Sequence, residues 1–226
     1  MRSTPAEICE VEVGTLRLKA ILGLPPHGQG IIIFAHGSGS GRLSPRNHYV
    51  AAALHRSCFA TLLLDLLTVG EEADRQNVFD IPLLAERVGG AISWAASHPE
   101  VGDLPIGLFG ASTGAGAALV AAAQYDGRVC AIVSRGGRPD LAGVALEDVQ
   151  APTLLLVSDR DQPVIALNEE ALSRLHCEKR LILVPGATHL FEEPGTLDEV
   201  IQHTADWFHA YLPQPSVRSA FHVVGS

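Results

Sequence analysis

The sequence predicts a doubly wound α/β domain: a mostly parallel sheet of about eight strands, with no large cap domain. Three observations carry that prediction. Short unbroken runs of Ile, Leu and Val recur along the chain, and such runs suit strands buried on both faces. Stretches of helical length separate them, the alternation expected of crossover connections. The 226 residues are 47% hydrophobic and 18% charged, enough apolar material for one sizeable core.

In chain order, residues 8–13 and 16–23 read as two early strands around Gly14, a plausible hairpin. The buried runs are Ile31–Ala35, Phe59–Leu64, Pro105–Phe109, Val129–Ser134, Thr153–Val157 and Arg180–Val184. Helices are expected at Pro45–Ser57, Ile81–Ser97, Thr113–Tyr125, Pro163–Leu175 and Leu197–Tyr211. The first has Ser44 as its N-cap and Pro45 at its first position. Thr68–Asp80 is polar and aperiodic, so a loop near a site is expected there. Arg138–Gln150 has room for one short helix. A single domain over residues 1–212 follows, with a C-terminal tail from Pro213.

Composition narrows the function. There are 16 Lys+Arg against 25 Asp+Glu, a formal net charge of −9, which gives no electrostatic footprint for nucleic acid or anionic membranes. No apolar run is long enough to span a bilayer, and the first residues have no signal-peptide core, so a cytoplasmic protein is expected. The four cysteines lack metal-ligand spacing, so no metal site or disulfide framework is expected. Cys58 and Cys130 read as core residues.

The chemistry centres on Gly110-Ala111-Ser112-Thr113-Gly114, which follows one predicted strand and opens a small-residue helix. That is the context a nucleophile elbow requires. The serine sits on a sharp strand-to-helix turn, the glycines let the two segments approach, and the helix aims free amides at a developing oxyanion. A second loop, His36-Gly37-Ser38-Gly39-Ser40-Gly41, follows Ile31–Ala35 and can add a second amide donor. The amides of Ser38 and Thr113 are therefore the expected oxyanion hole. His36 is expected to be structural.

A serine nucleophile needs a base, and the base an orienting acid, in the chain order Ser, Asp or Glu, His. Asp161 follows the strand Thr153–Val157 and His189 follows the last strand; both leave strand C-terminal ends, the edge on which Ser112 stands. Asp159 and Asp140 are rivals for the acid. Asp65 precedes Ser112 in the chain and suits pinning a loop.

Together these pieces resemble the α/β-hydrolase fold, and within it the small dienelactone-hydrolase-like esterases. The matching stretches are FAHGSGSGR at 34–42, LLLDLLT at 62–68, GLFGASTGAGAAL at 107–119, PTLLLVSDRDQPV at 152–164 and VPGATHLFEEPG at 184–195. The resemblance implies a triad of Ser112, Asp161 and His189 with no cofactor. Dienelactone hydrolases proper look to place cysteine at the elbow; serine here implies a general carboxylesterase acting on small-molecule, short-chain esters. A thioesterase or perhydrolase on the same triad is the alternative, and a non-catalytic binding member of the fold a third. The cations comprise 14 Arg and two Lys. Arg42 and Arg46 flank the glycine-rich loop, and Arg135 and Arg138 follow a strand. The simpler expectation pairs these arginines with acids such as Asp65 or Asp140; in the other, Arg42, Arg135 and Arg138 bind an anionic substrate.

Overall fold

In a computed structural model, which describes residues 5–125 and 127–213, eight strands form one sheet in the order β1-β2-β4-β3-β5-β6-β7-β8. They are β1 (Glu7–Val13), β2 (Leu18–Leu24), β3 (Gly30–Ala35), β4 (Phe59–Leu64), β5 (Ile106–Ala111), β6 (Val129–Arg135), β7 (Thr153–Ser158) and β8 (Lys179–Val184). The expected hairpin is the antiparallel β1–β2 pair, and β2 joins β4 antiparallel. From β4 through β3 to β8 every pairing is parallel. The central strands β3, β4, β5 and β7 are buried at every residue, which is why they appear in sequence as unbroken apolar runs.

The helices are α1 (Pro45–Arg56), α2 (Val69–Glu72), α3 (Ile81–Ser97), α4 (Thr113–Gln124), α5 (Gln162–Arg174) and α6 (Thr196–Tyr211). Buried side chains of α3 and α4, with Ala171 of α5, share one core with Ile31, Ile33 and Leu108 of the sheet. On the other face α1 and α6 pack Val50, Leu54, Trp207 and Phe208 against Ile32, Phe34, Phe109 and Leu156. The Ser44 hydroxyl accepts from the Asn47 amide, as the cap reading predicts.

Three local expectations are corrected. The Thr68–Asp80 connection contains α2, capped reciprocally by Thr68 and Glu71, and a 3₁₀ turn at Asn77–Phe79. The 138–150 stretch is 3₁₀ turns over Pro139–Asp148, broken at Gly143, whose φ of 56° no helix accommodates. Cys58 and Cys130 are half-buried, not core. Beyond Pro213 the predicted tail lies outside the described residues. Among the described residues no helix is long and apolar enough to cross a membrane, and no cluster of His, Cys, Asp or Glu could hold a metal.

Candidate active site

The parallel register assembles the site. Ala35 pairs with Gly110, and Ala111 pairs with Arg135, so β3, β5 and β6 end side by side and their loops leave one edge of the sheet. Ser112 occupies the turn from β5 to α4 with φ 50° and ψ −126°, a region that costs a non-glycine residue about 1–3 kcal/mol. The flanking glycines explain how the turn closes. A Cβ on Gly110 would lie 2.5 Å from the Ala115 Cα, and one on Gly114 would lie 2.1 Å from the Ala35 carbonyl oxygen. Gly37 is equally constrained, since its Cβ would fall 2.7 Å from that of Ser112. The glycine-rich loop is thereby laid directly against the serine.

That loop is pinned from two sides. His36 accepts from the Leu66 amide through Nε2 at 3.0 Å, and its Nδ1 lies 2.9 Å from the Gly37 carbonyl. Both ring nitrogens are thus used structurally, as expected. Asp65 accepts from the Arg42 amide at 2.6 Å and also from the Arg42 guanidinium. The Ser38 amide donates to the Thr113 hydroxyl at 3.2 Å, a link between residues 75 apart that leaves no signature in the sequence.

His189 stands in the loop between β8 and α6. The Ser158 hydroxyl donates to the Ala187 carbonyl and the Thr188 amide donates to Glu193, so the loop is tied down on both sides of the imidazole. The Thr188 backbone bond is also the main reason the Glu193 carboxyl is held below its ordinary range. Asp161, at the N-terminus of α5, places Oδ2 2.7 Å from His189 Nδ1. Neither rival reaches the imidazole. Asp140 is engaged by Arg138, and Asp159 has its Oδ1 buried without a hydrogen-bond partner.

Ser112 and His189 line one cavity of about 210 Å³, together with Ser38, Arg46, Arg135 and Leu190. A larger cavity of about 790 Å³ lies between α1 and the β1–β2 end of the sheet and shares none of these residues. The four loop arginines separate sharply. Arg42 pairs with Asp65, and Arg138 forms a two-pronged pair with Asp140 at 2.8 and 2.7 Å, which is the simpler of the two expectations, and neither lines the cavity, where a substrate-binding role would put them. Their guanidinium forks are already spent on carboxylates. Arg46 meets the exposed Glu192 at 3.1 Å while lining the cavity, which gives it a place the sequence did not assign. Arg135 is only 8% exposed, its Nη1 finds no acceptor, and it lies 5.8 Å over the Phe109 ring. Burial, and then the nearby charge of Arg46, lower its pKa to about 10.

Comparison with known proteins agrees with this architecture. The dienelactone hydrolase family model matches residues 19–212. A crystal structure described as a dienelactone hydrolase from Anabaena variabilis is 52% identical, with a TM-score of 0.89, covering 94% of this chain and 100% of that one. The esterase domain of a Rhodothermus marinus protein shares the fold at 18% identity and a TM-score of 0.72, covering 92% of this chain and 99% of its own. Two Mycobacterium tuberculosis relatives, each named "Putative phosphoribosyl transferase", are 54% identical over 212 residues. The match covers 93% of this chain but 48% of theirs, so the chain spans about half the length of these curated relatives. An eight-stranded α/β-hydrolase sheet, a serine elbow at its edge and a family match over most of its length lead to one conclusion: the chain belongs to the dienelactone hydrolase family.

Proposed function

We propose that the protein is a serine hydrolase of short-chain carboxylic esters, working through an acyl-enzyme. The observation that carries this reading is the 2.7 Å contact between Asp161 and His189 Nδ1, on an imidazole that shares a cavity with the strained Ser112. Asp161 fixes the tautomer with the proton on Nδ1, leaving Nε2 free to take the Ser112 proton. The serine oxygen then attacks the ester carbonyl carbon, and the carbonyl oxygen becomes the oxyanion.

The Thr113 amide, at the first turn of α4, is aimed at that oxygen with the helix dipole behind it. The Ser38 amide is the second donor. The Thr113 hydroxyl that accepts from it holds the loop in register, and the oxyanion, a stronger acceptor, takes over that proton as charge develops. Protonated His189 gives its proton to the leaving alcohol. A water molecule, deprotonated by the same imidazole, then releases the acid and restores Ser112.

We read the transferase name of the longer relatives as describing the half this chain does not match, because this chain carries a serine elbow and an imidazole–carboxylate pair. The test compares wild type with Ser112→Ala on a short p-nitrophenyl ester, a matched thioester and a fluorophosphonate label. Wild type is expected to turn over the ester and take the label; Ser112→Ala should do neither while keeping its fold by circular dichroism. Unchanged ester hydrolysis in Ser112→Ala overturns the proposal, and a faster thioester moves it to a thioesterase.

A further inference from the structure

Arg135 is the anomaly of the site. Burying a guanidinium without a partner is costly, and proteins normally pair such a group or leave it in water. Counter-ions are not scarce in a chain with 25 acidic residues against 16 basic ones. Arg42, Arg87, Arg138 and Arg174 each end on a carboxylate. Arg135 makes no ion pair among the described residues, leaves Nη1 without an acceptor, and lines the cavity that holds Ser112 and His189. Its pairing with the Phe109 ring orients the fork but supplies no hydrogen-bond acceptor.

A second guanidinium faces the same space. Arg46, from the first turn of α1, lines the cavity, and among the described residues its only carboxylate partner is Glu192, whose side chain is 65% exposed. A surface pair of that kind is weak and easily exchanged. The two arginines come from different elements, the end of β6 and the start of α1, so their donors approach one volume from separate directions. A planar carboxylate offers its acceptor sites in one plane, whereas a phosphate offers three oxygens pointing in different directions. Two forks from different elements suit a tetrahedral group, and two positive charges against one exposed carboxylate leave room for a dianion.

We infer that Arg135 and Arg46 form a binding subsite for a phosphate group carried by the ester substrate, within the cavity that holds Ser112. The substrate class, resting on the serine-hydrolase reading above, is then a small phosphorylated ester cleaved at its carboxylic bond, with the phosphate left intact. The cavity of about 210 Å³ keeps the phosphate within a few atoms of the reacting carbonyl.

Three phenyl acetates that differ only in a para phosphate, carboxylate or methyl group test this directly. In wild type, kcat/KM should rank phosphate, carboxylate, methyl, with phosphate ahead of methyl by about 10- to 100-fold. That ratio should collapse in Arg135→Met and shrink in Arg46→Gln, the second variant guarding against misfolding of the first. A ratio near one in wild type, or one that survives Arg135→Met, overturns the subsite. A carboxylate ester preferred over the phosphate overturns the assignment to a tetrahedral dianion. Binding of phenyl phosphate to Ser112→Ala, followed by calorimetry, does not depend on turnover. If that binding is seen and is lost when Arg135→Met is added, while wild type cleaves none of the esters, the hydrolase reading fails and the subsite stands. If the methyl ester is cleaved but no phenyl phosphate binds, the subsite fails alone.

Discussion

Replacing Arg135 by methionine should make the protein more stable. The guanidinium is held at about 10, well below its ordinary value. At about 1.4 kcal/mol per pH unit, the charged form is disfavoured in the fold by about 3 kcal/mol. Because the folded value lies below the unfolded one, this penalty is fully present at every pH below 10 and lifts only as pH rises from there toward the unfolded value. Methionine follows much of the same path over Phe109 and carries no charge. Against that gain stands the loss of the cation–ring contact, about 1–2 kcal/mol when desolvated. The net expectation at neutral pH is a gain of about 1–2 kcal/mol, a rise in Tm of about 2–8 °C for a domain of this size. Thermal unfolding by calorimetry, wild type against Arg135→Met in a buffer free of phosphate and carboxylates, measures it. A Tm lowered by several degrees would mean that the guanidinium holds the fold together, and the reasoning from its missing acceptor would be refuted.

Other outcomes follow from the same geometry. Asp161→Asn should keep the fold and lower kcat by about 10⁴, because an amide can hold the imidazole in the wrong tautomer; a loss under tenfold would remove Asp161 from its role. Thr113→Val removes the acceptor of the Ser38 amide, and kcat should fall about 10- to 100-fold with KM little changed, while Thr113→Ser restores most of the rate. Equal activity of the valine variant would show that this hydroxyl does not set the loop. His55 is pushed below its ordinary 6.5 by burial, with Arg56 adding to the effect, and its Nε2 lies 2.7 Å from the Thr61 hydroxyl. The unfolded chain therefore takes up this proton first, so the contribution is intact above pH 6.5 and stability declines as pH falls from 6.5 through the lower folded value. Urea midpoints between pH 7.5 and 5 should show that decline in wild type and a smaller one in His55→Gln.

Much of this molecule was legible from its residues because the central strands are buried on both faces. Ile31–Ala35 and Phe59–Leu64 cannot be mistaken for surface segments, and their strand ends fix where loops can carry chemistry. The strand-end positions of Ser112, His189 and the loop that carries both Asp159 and Asp161 were readable from chain order. The choice of Asp161 over Asp159 depends on which side chain faces the imidazole, and two neighbouring loop residues of one type carry no sequence signal for that. Helix α2 was missed because four residues are too short for periodicity, although the Thr68–Glu71 spacing carries its capping box. The arginines were the least legible. Arg42, Arg135 and Arg138 look alike on paper, and only the folded chain shows that two of them meet carboxylates 23 and 2 residues away while the third meets none among the described residues.

The elbow also divides what this protein can change from what it cannot. Ser112 is half-buried and lines the cavity of about 210 Å³, so a side chain of similar size could stand there without moving the main chain. The glycines two positions away on either side are different: Gly110 and Gly114 are wedged against backbone of α4 and β3, where a single added methyl has nowhere to go. Across descendants of this chain, reactivity is therefore free to drift at residue 112, while the silent positions on either side stay frozen by geometry alone.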